Sequence, residues 1–177
     1  MTDRINPKRR VVSLWFPRFA TDRCQRTLKG QLKRQPRFPG NAASPEAAFE
    51  TLFEPALVMA MPEGGAIRLS AVTLAAQKAG LSPGQTLADA RALTPDVAVH
   101  DADPSGDATT LERIAGWCGR YTPWTAPSGL ETGGAAGLWL DVSGCAHLFG
   151  GEAPMLDDMT TRLAAIGYTA RAGLADT

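Results

Sequence analysis

The sequence predicts an α+β fold, in which a sheet carries helices on one face and a small lobe rich in helices is inserted after the first strand. Three observations lead to this prediction. The chain has 177 residues, enough for one domain or two small lobes around a core. Short apolar runs typical of strands alternate with amphipathic helical segments. Near the C-terminus the order is strand, helix, strand, which requires a sheet with helices on one face.

The first elements are a strand and a helix. Residues 11–16 form the apolar run VVSLWF, which is rich in strand-forming residues and is ended by a proline. A helix is predicted over 21–28, with Thr21 or Asp22 near its cap. Residues 29–50 are rich in proline, glycine and basic side chains, and we predict a flexible loop there.

The next segment predicts a β-hairpin and a further strand. Residues 56–60 and 66–69 are short apolar runs joined by the turn 63–65, whose paired glycines tolerate positive φ. A short strand is predicted at 97–100.

Two helices are predicted between the hairpin and that strand. Ser70 is expected to cap the first helix and Gly80 to follow its last turn. Thr86 and Asp89 resemble a capping box that opens a second helix, which ends before Pro95.

The C-terminal half predicts two amphipathic helices, each followed or preceded by a strand. The strands are expected at 138–142 and 168–173, and the helices at 107–121 and 154–166. The residues expected on the buried faces of the helices are Leu111, Ile114, Ala115, Cys118 and Tyr121 in the first, and Met155, Met159, Leu163 and Ile166 in the second.

The composition is that of a globular protein, with 44% apolar and 20% charged residues. No apolar run approaches the roughly 18 residues of a membrane span, and no signal peptide is evident, so we expect a cytoplasmic protein without membrane contact. The three cysteines, Cys24, Cys118 and Cys145, are widely spaced, which favours free thiols in a reducing compartment.

The charge is unevenly distributed along the chain. Of the 18 lysines and arginines, 11 lie in residues 1–40 together with only two acidic residues, whereas residues 41–177 carry 7 basic and 16 acidic side chains. The first part is therefore near +9 and the rest near −9. Such a basic arm can neutralise DNA phosphates, but a solvated chain end has the same composition.

A few side chains are candidates for chemistry. His100, Asp101 and Asp103 have the residue types of a metal site, although an acidic loop between a strand and a helix is favoured. Cys145 and His147 form a Cys-x-His pair, but no second pair completes a zinc site, so a half-buried turn is favoured.

Aromatic residues offer a second kind of candidate. Trp117, Tyr121, Trp124 and Trp139 have side chains that can stack on nucleic-acid bases. Because Trp117 and Tyr121 are four residues apart on a predicted helix, core packing is favoured for these two.

Several segments, in order, resemble the N-terminal part of Y-family DNA polymerases. Tyr121-Thr122-Pro123 followed by LWLDVS at 138–143 resembles the palm, where a strand of the form S-x-D-E-A-Y-L-D-x-[ST] follows a helix ending in tyrosine. HLFG at 147–150 and ARAGLA at 170–175 resemble the next loop and strand, and residues 70–90 resemble the fingers.

The resemblance implies a domain organisation. It covers most of the chain except residues 29–50. It implies an incomplete palm, a mixed sheet with helices on one face, formed by residues 1–19 and 103–177. Residues 20–102 would form a fingers-like insertion.

The resemblance also implies that the reactive groups are missing. Such polymerases hold two metal ions with an aspartate on the first strand and an Asp-Glu pair on the central strand. These positions fall on Trp15, Ala136 and Gly137. The tyrosine and arginine that bind the triphosphate fall near Leu74 and Gln77. Each replacement removes a charge or donor that the reaction needs, so the resemblance implies no catalytic residue, no metal site and no cofactor.

The alignment of the acidic pair has an alternative. Ser128-Gly129-Leu130-Glu131 can be matched to S-x-D-E if an insertion follows it, and then only Glu131 survives as an acid. Asp141 matches a structural aspartate of the family. As a single carboxylate it would hold magnesium poorly.

Within the family, LWFPRF at 14–19 and LWLDVSGCAHLFGGE at 138–152 resemble ImuB-type proteins, which are inactive polymerase relatives. This resemblance implies a non-catalytic scaffold in damage-induced mutagenesis and translesion DNA synthesis, part of the SOS response. The expected partners of a full-length member are DNA, bound weakly or indirectly, an error-prone DNA polymerase III alpha-type subunit, a RecA-like accessory protein and the sliding clamp. Since the sequence ends at Thr177, before the thumb, little finger and tail, we expect a fragment or truncated copy.

Two other functions stay open from the sequence. The first is an active nucleotidyltransferase that uses displaced carboxylates such as Asp101, Asp103, Glu131 or Asp141. The second is a protein-interaction domain without a role in nucleic-acid chemistry.

Overall fold

The computed structural model describes residues 9–34, 56–130 and 134–176. Their elements are, in chain order, β1 (Arg10–Phe16), α1 (Phe19–Arg34), β2 (Leu57–Glu63), β3 (Ala66–Val72), α2 (Leu74–Lys78), α3 (Leu87–Leu93), β4 (Ala98–Asp101), α4 (Pro104–Cys118), β5 (Thr125–Ser128), β6 (Ala136–Asp141), a 3₁₀ helix (Ala146–Phe149), α5 (Glu152–Ala165) and β7 (Arg171–Asp176). Within these ranges, no helix is long and apolar enough to cross a membrane.

The larger sheet has the strand order β5-β6-β1-β7, and its pairings are antiparallel. The alternate residues Val12, Leu14 and Phe16 of β1 are fully buried on one face. Helices α4 and α5 cover that face and contribute buried residues to the same core. No helix of the described residues packs on the opposite face, so we call it the open face.

The smaller sheet has the order β3-β2-β4, with β3 antiparallel and β4 parallel to β2. Both faces of β2 are covered. Val58 and Ala60 pack in a core with Ala76 of α2 and Ala90 of α3. Leu57 and Met59 point the other way, into a cluster that includes α1. Burial on both faces explains why the strand begins as an unbroken apolar run.

Helix α1 joins the two sheets. Its residue Ala20 packs against β2 and β3 of the smaller sheet. On another side Arg23 donates from Nε to Asp107 Oδ1 at 2.5 Å and lies 3.1 Å from Asp103 Oδ2, at the start of α4. Phe19, the first residue of α1, stacks on Tyr168 with ring centroids 5.5 Å apart. The helix is therefore anchored to both halves of the molecule.

Most of the sequence-based elements are confirmed, including the α+β fold and the hairpin with its turn at Gly64 and Gly65, both at positive φ. The prediction that Thr86 and Asp89 open a helix is also confirmed, because Thr86 Oγ1 accepts from the Asp89 N–H at 3.1 Å. The mixed pairing expected in the larger sheet is wrong in detail, since that sheet is antiparallel and the smaller one is mixed.

Three local predictions are wrong, and one strand was not predicted. Helix α1 continues to Arg34, so the loop expected at 29–50 does not begin at 29, and its residues from 35 on lie outside the described ranges. Ser70 lies within β3, and Thr73 caps α2 instead, accepting from the Ala76 N–H. Ile166 follows α5 and is 42% exposed. Strand β5 was not predicted, because its sequence TAPS contains a proline and lacks an apolar alternation.

The core of the larger sheet predicts a large effect for one side chain. Leu140, in the middle of β6, is fully buried, so Leu140→Ala is expected to lower the free energy of unfolding by about 2–5 kcal/mol, measured by urea denaturation and circular dichroism. The matched control is Leu148→Ala, whose side chain is 71% exposed, with an expected change within about 0.5 kcal/mol. Equal losses for the two variants would contradict this account of the core.

Candidate functional site

The three positions that the family resemblance assigns to metal-binding carboxylates lie on two paired strands of the larger sheet. In the antiparallel pairing of β1 with β6, Trp15 lies opposite Gly137 and Phe16 lies opposite Ala136. Because directly paired residues share a face, Trp15 and Gly137 meet on the open face. Ala136 belongs to the other face and is fully buried in the core. Two of the three assigned positions therefore share one face of the sheet, and the third lies in the core.

The open face is rich in exposed aromatic surface. Trp15 is 45% exposed and Trp139 is 50% exposed, although both lie within the larger sheet. Arg171 of β7 pairs with Trp15, and its guanidinium carbon lies 5.7 Å from the centroid of a Trp15 ring. This spacing is that of a cation–π contact.

Asp141 has a local structural role. Its Oδ1 accepts from the Ser143 N–H at 3.0 Å, and its carbonyl accepts from Thr122 Oγ1 at 2.6 Å. Hydrogen bonding with Ser143 holds the pKa of the Asp141 carboxyl below its usual value. The carboxylate thus shapes the turn after β6, four residues and about 13 Å along the strand from Gly137.

The structure describes the start of the segment that the alternative alignment matches to the acidic pair. Ser128 ends β5 and pairs with Gly137 of β6, and Gly129 follows with φ of +82°. Glu131 lies outside the described residues.

The two positions that the resemblance assigns to triphosphate-binding residues lie on α2. Leu74 is 46% exposed and borders a small cavity of about 230 Å³, together with Arg18 and Thr169. Gln77 is exposed one turn later on the same helix. Leu74 thus faces the palm across this cavity, but its side chain offers no hydrogen-bond donor to a phosphate.

A larger cleft of about 420 Å³ lies between the two sheets, bordered by Ala20, Leu69, Asp107 and Gly134. The loop before β6 packs into its wall. The Gly134 carbonyl accepts from the Ala20 N–H at 3.2 Å, and a Cβ at Gly134 would lie 2.5 Å from the Ala71 side chain. Gly134 also has φ of +84°, so only glycine fits this contact without strain.

The acidic cluster expected near residue 100 is dispersed in the structure. His100 and Asp101 are in β4, while Asp103 caps α4 by accepting from the Gly106 N–H at 2.9 Å. Asp103 also pairs with Arg23, as the acidic-loop interpretation requires for this residue. Across the described ranges, no group of three or more histidine, cysteine, aspartate or glutamate side chains is placed to hold a metal ion.

The remaining candidates mostly have structural surroundings. Cys145 is half-buried ahead of the 3₁₀ helix and His147 is exposed within it, which confirms the turn interpretation. Tyr121 is buried and donates its hydroxyl to Asp158 at 2.6 Å, and burial is the main cause that raises the Tyr121 pKa. Trp117 is half-buried against the same core, whereas Trp124 is 73% exposed.

The sequence predicted Asp22 only as a possible cap of α1, whereas in the structure it lies inside the helix and makes a long-range contact. It lies on α1 and is only 6% exposed, and its Oδ2 accepts from the Thr169 N–H at 2.7 Å. Burial raises the pKa of the Asp22 carboxyl, and the Thr169 hydrogen bond and nearby Arg18 oppose this shift. The carboxylate therefore ties α1 to the segment that enters β7, which is 147 residues away in sequence.

Comparison with known proteins agrees with this architecture. Solved structures with the same fold include an insertion ternary complex of Dbh DNA polymerase, with a TM-score of 0.64, 15% identity, and coverage of 94% of this chain and 42% of that one. DinB from Sulfolobus solfataricus matches with a TM-score of 0.64, 14% identity, and coverage of 93% and 42%. A Y-family DNA polymerase chimera of Dbh and Dpo4 gives the same values as DinB. The chain thus has the palm fold of Y-family DNA polymerases.

The sequence comparisons define the family. Residues 41–177 match the model of the impB/mucB/samB family, and the chain belongs to this family. Among curated proteins, Protein ImuB of Caulobacter vibrioides strain NA1000 / CB15N is 49% identical over 98 residues. Protein ImuB of strain ATCC 19089 / CIP 103742 / CB 15 matches to the same extent. Each match covers 55% of this chain and 20% of the relative, so the chain spans only part of the length of these proteins.

The buried carboxylate predicts a pH-dependent stability difference. Because the Asp22 pKa is raised on folding, protonation of this carboxyl group stabilises the native state. This stabilisation is complete below the unfolded-state pKa of about 3.9. It is lost as the pH rises through the folded-state pKa. Asp22→Asn keeps an oxygen acceptor but carries no charge. Its stability relative to wild type is therefore expected to be more favourable at pH 7 than at pH 4, measured by urea denaturation.

Asp22→Ala is the control for the hydrogen bond alone. It carries no titrating group, like Asp22→Asn, but leaves the Thr169 N–H without its acceptor, so it is expected to be about 1 kcal/mol less stable than Asp22→Asn at both pH values. If Asp22→Asn were destabilised most at pH 7, the negative charge itself would stabilise the fold and the interpretation of its burial would be wrong.

Proposed function

We propose that this chain is a non-catalytic Y-family polymerase-like module that serves as a scaffold in DNA damage tolerance, within damage-induced mutagenesis and translesion synthesis. One observation carries the proposal. Trp15 and Gly137 face each other on the central strands, where the family resemblance expects metal-binding carboxylates.

The chemistry of nucleotide transfer supports this proposal. Two divalent ions must be held by oxygen ligands, so that one activates the attacking hydroxyl and both clamp the triphosphate. An indole, a methyl group and a glycine offer no such ligand. At the fingers, Leu74 offers no hydrogen-bond donor to the phosphates. The fold therefore supplies the framework of a polymerase without the groups that act in its reaction.

The relatives support the biological setting. Similarity to proteins called ImuB motivates the role in damage-induced mutagenesis. In this proposal residues 1–19 and 103–177 act as the palm and 20–102 as the fingers-like insertion. The error-prone polymerase alpha-type subunit, the RecA-like accessory protein and the sliding clamp are proposed partners of the whole protein, since the matched segment is 20% of the ImuB length.

The alternative, an active nucleotidyltransferase with displaced carboxylates, has less support. Asp103 caps α4 and pairs with Arg23, and Asp141 shapes the turn after β6. Asp101 is in the smaller sheet, whereas Asp141 is in the larger one. These carboxylates already have structural partners or lie in different sheets, which disfavours a shared pair of metal ions.

A primer-extension assay tests the proposal. The purified chain is incubated with a primed template, Mg²⁺ or Mn²⁺ and all four nucleotides, and we expect no template-directed extension above that of an unrelated protein prepared identically. The Asp103→Asn and Asp141→Asn variants are assayed in parallel. If the wild-type chain extends the primer and either variant abolishes this extension, the proposal is refuted and the displaced-carboxylate alternative is established.

A further inference from the structure

We propose that the open face of the larger sheet binds single-stranded DNA, with unpaired bases stacking on Trp15 and Trp139. The inference deepens the proposed function and rests on it only for the biological source of the DNA. Its physical basis is the arrangement of side chains on β1, β6 and β7.

The first observation is the exposure of the two indoles. Trp15 and Trp139 are 45% and 50% exposed, while their strand neighbours Leu14, Leu138 and Leu140 are at most 1% exposed. Large aromatic side chains on a sheet face without a covering helix contribute little to the core and leave apolar surface in water. Such a face is suited to a ligand with flat apolar surfaces.

The second observation is the spacing of the indoles. Trp15 lies opposite Gly137 and Trp139 lies opposite Ser13, so the two tryptophans are diagonal neighbours on adjacent strands. Side chains in this relation are about 7–8 Å apart. Successive bases in a duplex strand are only about 3.4 Å apart. The spacing therefore favours separated bases of a single strand over stacked bases of a duplex.

The third observation is the small size of the neighbouring side chains. Ser13 and Gly137 lie between the tryptophans on β1 and β6, and Gly173 pairs with Ser13 from β7. No bulky group rises beside the indoles from these positions. Ser13, Gly137 and Gly173 therefore do not obstruct the approach of the planar face of a base to the indoles.

Charge favours a nucleic acid as the occupant of this face. Arg171 lies beside Trp15, and Arg18 donates to Thr169 at 3.2 Å, near the start of the same strand. Asp141 is the one acidic residue among the described residues of β1, β6 and β7 whose side chains lie on the open face. Its carboxylate accepts a hydrogen bond from the Ser143 N–H. Cations beside aromatic planes match the phosphates and bases of a single strand.

The test is fluorescence anisotropy of a labelled 20-nucleotide oligothymidine titrated with the full chain at several salt concentrations. We expect binding to this single strand at least about 10-fold tighter than to a duplex of equal length. Trp15→Ala and Trp139→Ala are each expected to weaken single-strand binding about 10-fold. Arg171→Gln is expected to reduce the slope of log affinity against log salt by about 0.7.

Two kinds of control separate stacking from general effects. Trp15→Phe and Trp139→Phe keep an aromatic plane and are expected to stay within about 3-fold of wild type. Leu93→Ala removes an exposed apolar side chain, 61% accessible, from α3 and is expected to leave binding unchanged. Circular dichroism of each variant verifies that the fold is retained.

Several outcomes would overturn the inference. They are the absence of single-strand binding, binding that does not depend on either tryptophan, or equal affinity for duplex DNA. The wild-type chain could also self-associate in sedimentation experiments, with both alanine variants abolishing the association. That result would assign the face to a second copy of the chain and would equally overturn the inference. Primer extension is assayed separately on the same wild-type sample, so failure of the stacking proposal is distinct from failure of the non-catalytic proposal.

Discussion

The antiparallel pairing of β1 with β6 is the constraint on which the rest of the structure depends. Phe16 and Ala136 pair across about 120 residues of sequence, and β1 also pairs with β7 at its other edge. This register decides that Val12, Leu14 and Phe16 enter the core under α4 and α5. It decides equally that Trp15 points to the open face. A shift of one residue would exchange the two faces, so burial of the core fixes the site geometry as well.

The fold does not depend on the reactive groups of a polymerase. Carboxylates clustered at a metal site repel one another and are held in place by the ions they bind, so they contribute function more than stability. In the proposed function Trp15, Ala136 and Gly137 take the place of these carboxylates, which removes the repulsion while the core side of each strand stays filled. Ala136 even contributes buried apolar surface to that core. A polymerase-like framework can therefore persist as a scaffold.

Helix α1 gives this framework its rigidity. It packs on the smaller sheet through Ala20, reaches the start of α4 through Arg23, and holds the entry to β7 through Asp22. Burial raises the Asp22 pKa, which shows that this tie has an electrostatic cost. The smaller sheet and the larger sheet are thus linked by specific buried and half-buried contacts through this helix.

The sequence by itself determined the elements whose signals are local. The apolar run of β1, the two glycines of the hairpin, the Thr86–Asp89 cap and the spacing of Leu111, Ile114 and Cys118 each depend on neighbours within a few residues. By resemblance it also assigned Trp15, Ala136 and Gly137 to metal-ligand positions, and this assignment stays a prediction. Only the tertiary structure decided that Trp15 and Gly137 are paired, that Trp139 shares their face, that TAPS adds an edge strand, and that Asp22 binds the Thr169 N–H. These features depend on contacts between residues far apart in the chain, and local periodicity carries no information about such contacts.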